Sequence, residues 1–356
     1  MLQSTRPRVG QASATPAVIA HRGASGYRPE NTLAAFELAA RMGADRLEPD
    51  VVPTRDGVLV LRHESELTRS TDVAERRELA GRRATRRVDG RPVTGWFTED
   101  LTLEELRSLR AVEPQAQLRQ GTTVYDGLYP VPTFAELLAL ADRLREELGR
   151  PLVVSAEVKE PSRYRAEGLD VARLLLAQLD AAGVADDASP AAPVAVQCFE
   201  PGFLRRLRAE GLRVPLVQLV DADLPECARL CTPWGLREVS TYAQVLAPAK
   251  EMVLPLTPDG RFGRPTGLVE EAHRAGLAVH VWTLRNENAH LPAVLQVGAA
   301  PGGHGRAVEE HLAFLGAGVD GIFTDHPDTG HEARRLWLER VDGRGAVPHQ
   351  AGPPPR

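Results

Sequence analysis

"AHRGASGYRPENTLAAFELA", residues 20–39, joins the end of an apolar run to a glycine-punctuated turn and then to an Ala/Leu/Phe helix pattern. The run "AVIA" (17–20) reads as a first strand, and a helix is expected over 32–42. An open, doubly wound sheet that binds a dinucleotide needs a glycine-rich turn at this crossover, and "HRGASGYRPEN" lacks the GxGxxG spacing. Outward from this stretch the same alternation recurs. Strands are expected near 46–52, 152–158, 194–199, 214–220, within 238–255, at 278–284 and at 321–325, with helical patterns at 133–148, 168–182, 202–210, 267–275 and 307–315. About eight βα units are what a closed (β/α)8 TIM barrel requires, so the fold class is α/β and the barrel is expected over 17–330.

Bulk properties narrow the function classes. The 356 residues would suit two average domains, yet an α/β barrel of this size forms one. Lys and Arg number 43 against 48 Asp and Glu, so no global basic field points to nucleic acid or an anionic membrane. Three cysteines, Cys198, Cys227 and Cys231, make no disulfide framework and read as small apolar side chains. No stretch is long and apolar enough to span a membrane. Residues 1–16 carry no apolar secretory core, so the chain as it stands is expected in the cytoplasm, or outside it if an upstream signal has been removed. Residues 64–132 break the alternation and are read as a rim insertion between the second and third βα units. The arginines at 76–87 read as a solvated surface, and 1–16 and 343–356 as flexible termini.

The residues able to carry chemistry fall at the C-terminal ends of expected strands, where barrel active sites are assembled. In "RLEPDVV" (46–52), Glu48 and Asp50 are two apart on a strand and project to one face. Two adjacent buried anions repel and lose hydration, and a divalent cation relieves that conflict. "SAEVKE" (155–160) repeats the geometry with Glu157 and Lys159. Glu48, Asp50 and Glu157, with no thiolate nearby, make a hard oxygen site for one divalent cation, Ca2+ or Mg2+. His21 ends the first strand and His63 ends "GVLVLRH" (57–63). Two histidines flanking a carboxylate–metal cluster have the arrangement for paired acid and base catalysis. Arg22 offers a planar fork of donors that matches phosphate oxygens, and with Lys159 it implies a phosphoryl substrate.

At these residues the sequence resembles a known family. "HRGASGYRPENTLAAFELAARMGADRLEPDVVPTRDGVLVLRHESELTRSTD" (21–72) closely resembles the signature block of the glycerophosphodiester phosphodiesterases. "EVK", "VQCFE", "LVQLV", "VHVWTLRNE" and "GVDGIFTDHPD" follow in that family's order. "TGWFTEDLTLEELRSLRA" (94–111) is similar to its longer, insertion-bearing members. The resemblance implies the same barrel and the hydrolysis of glycerophosphodiesters to glycerol 3-phosphate and an alcohol. It implies His21 and His63 as the catalytic pair, Glu48, Asp50 and Glu157 as metal ligands, and Arg22, Lys159 and Trp282 as substrate contacts. It also implies attack by the substrate's own 2-hydroxyl or directly by water, a choice the sequence leaves open. The partner implied is a small-molecule glycerophosphodiester. Three departures stand out: Glu64 where an Asp usually follows the histidine, Cys198 where a serine is common, and Pro49 between the two acidic residues.

From the residues themselves, Trp282 is either pocket wall or core, Asn31 and Thr32 read as helix caps, and Asp325 as structural. Rival readings are a lysophospholipase D, suggested by the aromatic "GWF" and "VYDGLYP", and a non-catalytic glycerophosphodiester-binding protein.

Overall fold

Short β-branched runs become strands here because both their faces are covered, one by the barrel interior and one by helices. The structure is a computed structural model describing residues 15–88, 91–189 and 192–343. The expected flexible termini lie, apart from residues 15, 16 and 343, outside the described residues. In chain order the strands are β1 (Ala17–His21), β2 (Arg46–Glu48), β3 (Asp50–Pro53), β4 (Leu59–Leu61), β5 (Ala84–Val88), β6 (Arg91–Gly95), β7 (Val153–Val158), β8 (Val194–Cys198), β9 (Leu216–Val220), β10 (Val245–Pro248), β11 (Ala278–Leu284) and β12 (Gly321–Thr324). Eight of them run parallel in the ring β1-β2-β7-β8-β9-β10-β11-β12, closed by β12 against β1, with β2 on β7 at the second unit. This is the expected eight-stranded barrel.

One expected strand is divided. The run 46–52 is two strands flanking Pro49, which has no N–H to give a ladder. On one side Glu48 registers with His21 of β1; on the other Asp50 registers with Glu157 of β7. β3 then turns back as the antiparallel partner of β4, which carries the chain to His63.

The helix Phe134–Leu148 begins at a capping box in which Thr133 and Glu136 satisfy each other's backbone N–H groups, worth about 1 kcal/mol. The segment 62–132 leaves after β4 and returns at this cap, so it interrupts the second βα unit ahead of its helix rather than falling between two units. It contains the β5–β6 hairpin and the short helix Leu103–Arg107, and anchors itself through buried Leu67, Phe97, Leu101 and Leu106. Its arginines Arg76, Arg82 and Arg86 pair with nearby carboxylates. Inside the barrel, Ile19, Val217, Leu219, Val245, Ala247 and Phe323 form an apolar plug, alternating along β9 and β10 as inward-facing positions must. The polar site lies beyond this plug, at the strand ends.

Candidate active site

The metal-ligand candidates converge. Glu48, Asp50 and Glu157 are all buried, and one carboxylate oxygen from each lies within 4.8 Å of the others. At that spacing each pair of charges repels by about 3–4 kcal/mol at an effective dielectric near 20. Burial, reinforced by the neighbouring carboxylates, pushes Glu48 well above the usual carboxylate range, and burial raises Glu157. Asp50 goes the other way: against burial, Lys159 and Arg22 hold it ionised. Lys159 Nζ stands 2.5 Å from Glu157 Oε1 and 3.0 Å from Asp50 Oδ1. Gln197 Nε2 donates to Glu48 Oε1 at 3.0 Å, fixing that side chain from β8.

Arg22 and Gly23, which follow His21, form the tight turn beside the carboxylates. The Arg22 backbone turns left-handed, with φ of 57°, and its N–H reaches Glu48 Oε2 at 2.9 Å. The guanidinium folds onto Glu30 at 2.9 Å and Asp50 at 3.1 Å. Gly23 follows with φ of 88°, and a Cβ there would lie 2.7 Å from the carbonyl carbon of Ala35. Only glycine lets the helix Leu33–Arg41 approach this closely.

The two histidines are tied alike. His21 Nδ1 lies 2.6 Å from Asp325 Oδ1, and His63 Nδ1 lies 2.7 Å from Glu64 Oε1. Burial and the adjacent Arg22 push His21 down to about 4, so it is neutral near pH 7. Glu64, against its burial, is brought to about 2 by its bond to His63. The longer Glu64 side chain therefore still reaches the ring. Cys198 is buried, and its Sγ makes contacts to Val158 O at 3.2 Å and Glu200 N at 3.4 Å.

His21, Arg22, Glu48, His63, Glu157 and Lys159 all line one cavity of about 470 Å3. Trp282 lines it too, with Nε1 donating to Ala247 O at 2.8 Å and its ring meeting Phe199 edge-on at 5.7 Å. The ring is thus held from below and presents its half-buried side to the cavity.

Four residues were missed or misread from sequence. Thr32 caps the helix, but Asn31 does not. Its amide donates to Asp50 Oδ2 at 2.8 Å and accepts from Asp50 N at 3.1 Å. Asp325, read as structural, bonds His21, and its other oxygen takes Arg285 Nε at 2.7 Å and Arg119 Nη2 at 2.5 Å. Its place at the end of the last strand was a visible signal. Arg285, directly after the strand expected at 278–284, carried the same signal; Arg119 had none, since it comes from the inserted segment, where it is almost wholly buried and also reaches Glu287 at 2.5 Å and Ser25 O at 3.0 Å.

Residues 21–329 match the Glycerophosphoryl diester phosphodiesterase family. The chain belongs to that family. A glycerophosphodiester phosphodiesterase of Arabidopsis thaliana is 30% identical over 333 residues, covering 90% of this chain and 86% of its own. One from Treponema pallidum is 30% identical over 345 residues, covering 88% and 90%. Among solved structures, a putative glycerophosphoryl diester phosphodiesterase from Silicibacter pomeroyi superposes with a TM-score of 0.63 at 24% identity, covering 93% of this chain and 96% of the other. A phosphodiesterase of Oleispira antarctica, in complex with the product sn-glycerol-3-phosphate, gives 0.58 at 20% identity, covering 90% and 96%. These structures share the fold of the glycerophosphoryl diester phosphodiesterase family, in which this chain is a phosphoric diester hydrolase.

Proposed function

We propose that the chain hydrolyses glycerophosphodiesters to glycerol 3-phosphate and an alcohol, with His21 and His63 as the proton carriers. The observation that carries this reading is one cavity lined by Glu48, Glu157 and two imidazoles, each imidazole bound through Nδ1 to a carboxylate, with an oxygen of buried Asp50 within 4.8 Å of both glutamates. A carboxylate on Nδ1 fixes the proton there and leaves Nε2 for exchange with substrate. One histidine accepts the proton of the attacking oxygen, of water directly or of the substrate's own 2-hydroxyl with water opening the resulting cyclic phosphate, and the other gives a proton to the departing oxygen. Arg22 and Lys159, charged against their burial by the surrounding carboxylates, bind phosphoryl oxygens.

The donor set fits a divalent cation. Glu30, Glu48, Asp50 and Glu157 bring four carboxylates against the two cations Arg22 and Lys159, and Asp50 Oδ1 has the 3.0 Å ion pair with Lys159 as its contact but no aligned hydrogen bond among the described residues. Glu48, Asp50 and Glu157 would hold one Ca2+ or Mg2+, whose charge, when bound, helps neutralise the developing phosphoryl charge. The test is release of glycerol 3-phosphate from glycerophosphocholine, with and without EDTA. Release is expected, lost on chelation and restored by Ca2+ or Mg2+. Release indifferent to EDTA would remove the ion from the reading, and tight binding without release would leave a binding protein.

A lysophospholipase D reading has one observation in its favour. Val124 and Leu128 are 69% and 60% exposed beside the stacked rings of Tyr125 and Tyr129, a surface suited to an acyl chain. Faster turnover of lysophosphatidylcholine than of glycerophosphocholine would select it.

A further inference from the structure

We infer that Lys250 and Glu310 form a second polar subsite in the same cavity, which binds a hydroxyl of a neutral, hydroxylated leaving alcohol. The inference rests on the phosphodiesterase reading and names the substrate class within it. In the eight-stranded ring, β10 stands four places from β2, diametrically across the mouth from Glu48. Lys250 lies just beyond β10, and Glu310 projects from the helix Ala307–Gly316 that leads into β12. Both line the cavity that holds His21, His63, Glu48 and Glu157. The attacking and departing oxygens lie in line across phosphorus, each against one histidine, and the carbon skeleton beyond the departing oxygen is assigned to the far side of the mouth.

The chemistry of that far side is specific. Lys250 Nζ donates to His290 O and to Glu310 Oε1, each at 2.8 Å, which uses two of its three protons. Glu310 is fully buried, and its second oxygen has no hydrogen-bond partner among the described residues. A buried carboxylate oxygen without a donor is costly, so the site is completed by a ligand that donates to it. One free proton and one free acceptor side by side suit a hydroxyl, which accepts from Lys250 and donates to Glu310. Within the pair the Glu310 charge is already matched by Lys250, so the pair offers an ammonium no net attraction, and Glu251, which also lines the cavity, is the carboxylate that a choline ester would have to use instead. Leu254, Phe262, Leu291 and Phe314 wall the space around the pair and fit the carbon skeleton of a short alcohol.

The experiment compares kcat/KM of the metal-loaded full chain on glycerophosphoglycerol, its propyl analogue glycerophosphopropanol, and glycerophosphocholine. The wild type is expected to favour glycerophosphoglycerol over the propyl ester by about 10- to 100-fold, the range for a hydrogen bond to a charged group, and to favour it over the choline ester as well. Glu310→Gln should bring the glyceryl-to-propyl ratio close to one. Equal wild-type rates on the glyceryl and propyl esters, or faster turnover of the choline ester, overturns the inference. So does a Glu310→Gln ratio unchanged from wild type, which would place the discrimination outside this pair. If Glu310→Gln fails to fold, the wild-type comparison alone still decides. Absence of hydrolysis on all three substrates would instead defeat the underlying phosphodiesterase reading.

Discussion

Asp325 and Asn31 act at the scale of single residues, by holding others. His21 is useful only in the tautomer that its partner imposes, and Asp325 imposes it at 2.6 Å. His21→Ala and His63→Ala should each lower kcat by about 100-fold or more, with thermal unfolding little changed, because each removes a proposed proton carrier. Near-normal rates in either variant would end the proton-transfer assignment. Asp325→Asn keeps the shape but offers an amide where a carboxylate accepted from Nδ1. Its kcat is expected to fall by about 100-fold or more while KM moves little, read by steady-state kinetics. Asn31 was legible as a polar residue before a helix but not as a carboxylate holder, because a cap and a tertiary ligand have the same local pattern. Its left-handed φ of 56°, which asparagine tolerates, is what turns its amide toward Asp50.

At the scale of elements, Arg119 joins the inserted segment to the network behind His21. Arg119 bridges Asp325, Glu287 and the carbonyl of Ser25, so a part of the chain outside the barrel repeat closes the network behind His21. Arg119→Ala leaves two buried carboxylates short of a partner and should cost about 3–5 kcal/mol, seen as a lower urea midpoint. It should also reduce kcat, since Asp325 loses a bond that holds it toward the histidine. A variant as stable and as active as the wild type would show that the segment's contact is incidental. The other element-level result is the broken second strand. Period-two alternation correctly put Glu48 and Asp50 near each other. Which neighbour each would face followed from Pro49, which divides them between β1 on one side and β7 on the other.

Acid response belongs to the whole molecule. Burial pushes His280 down to about 3, and His311 and His326 to about 4, from an ordinary 6.5. Below pH 6.5 the unfolded chain binds protons at these sites and the folded chain does not, so folding stability is complete above that pH and is lost as pH falls toward 4. At pH 5 each histidine contributes a loss of about 2 kcal/mol, a large share of the 5–15 kcal/mol typical of a domain. The melting temperature should therefore fall clearly between pH 7 and pH 5. In His280→Gln the fall over that interval should be smaller, and an unchanged slope would show that this ring is not a source of it.

The alternation of strand and helix patterns was enough to read the barrel and to put the candidate reactive residues at its strand ends. Strand period, helix period and their alternation are local properties, and strand ends are where a barrel collects function. Three carboxylates, two histidines, Arg22 and Lys159 were legible for that reason. Only the tertiary structure decided the pairings: Asp325 with His21, Asn31 with Asp50, Arg119 with Asp325, and Lys250 with Glu310 across the mouth. Such pairs join residues as much as 304 positions apart, and their energy comes from burial and distance in space, which exist only once the ring has closed.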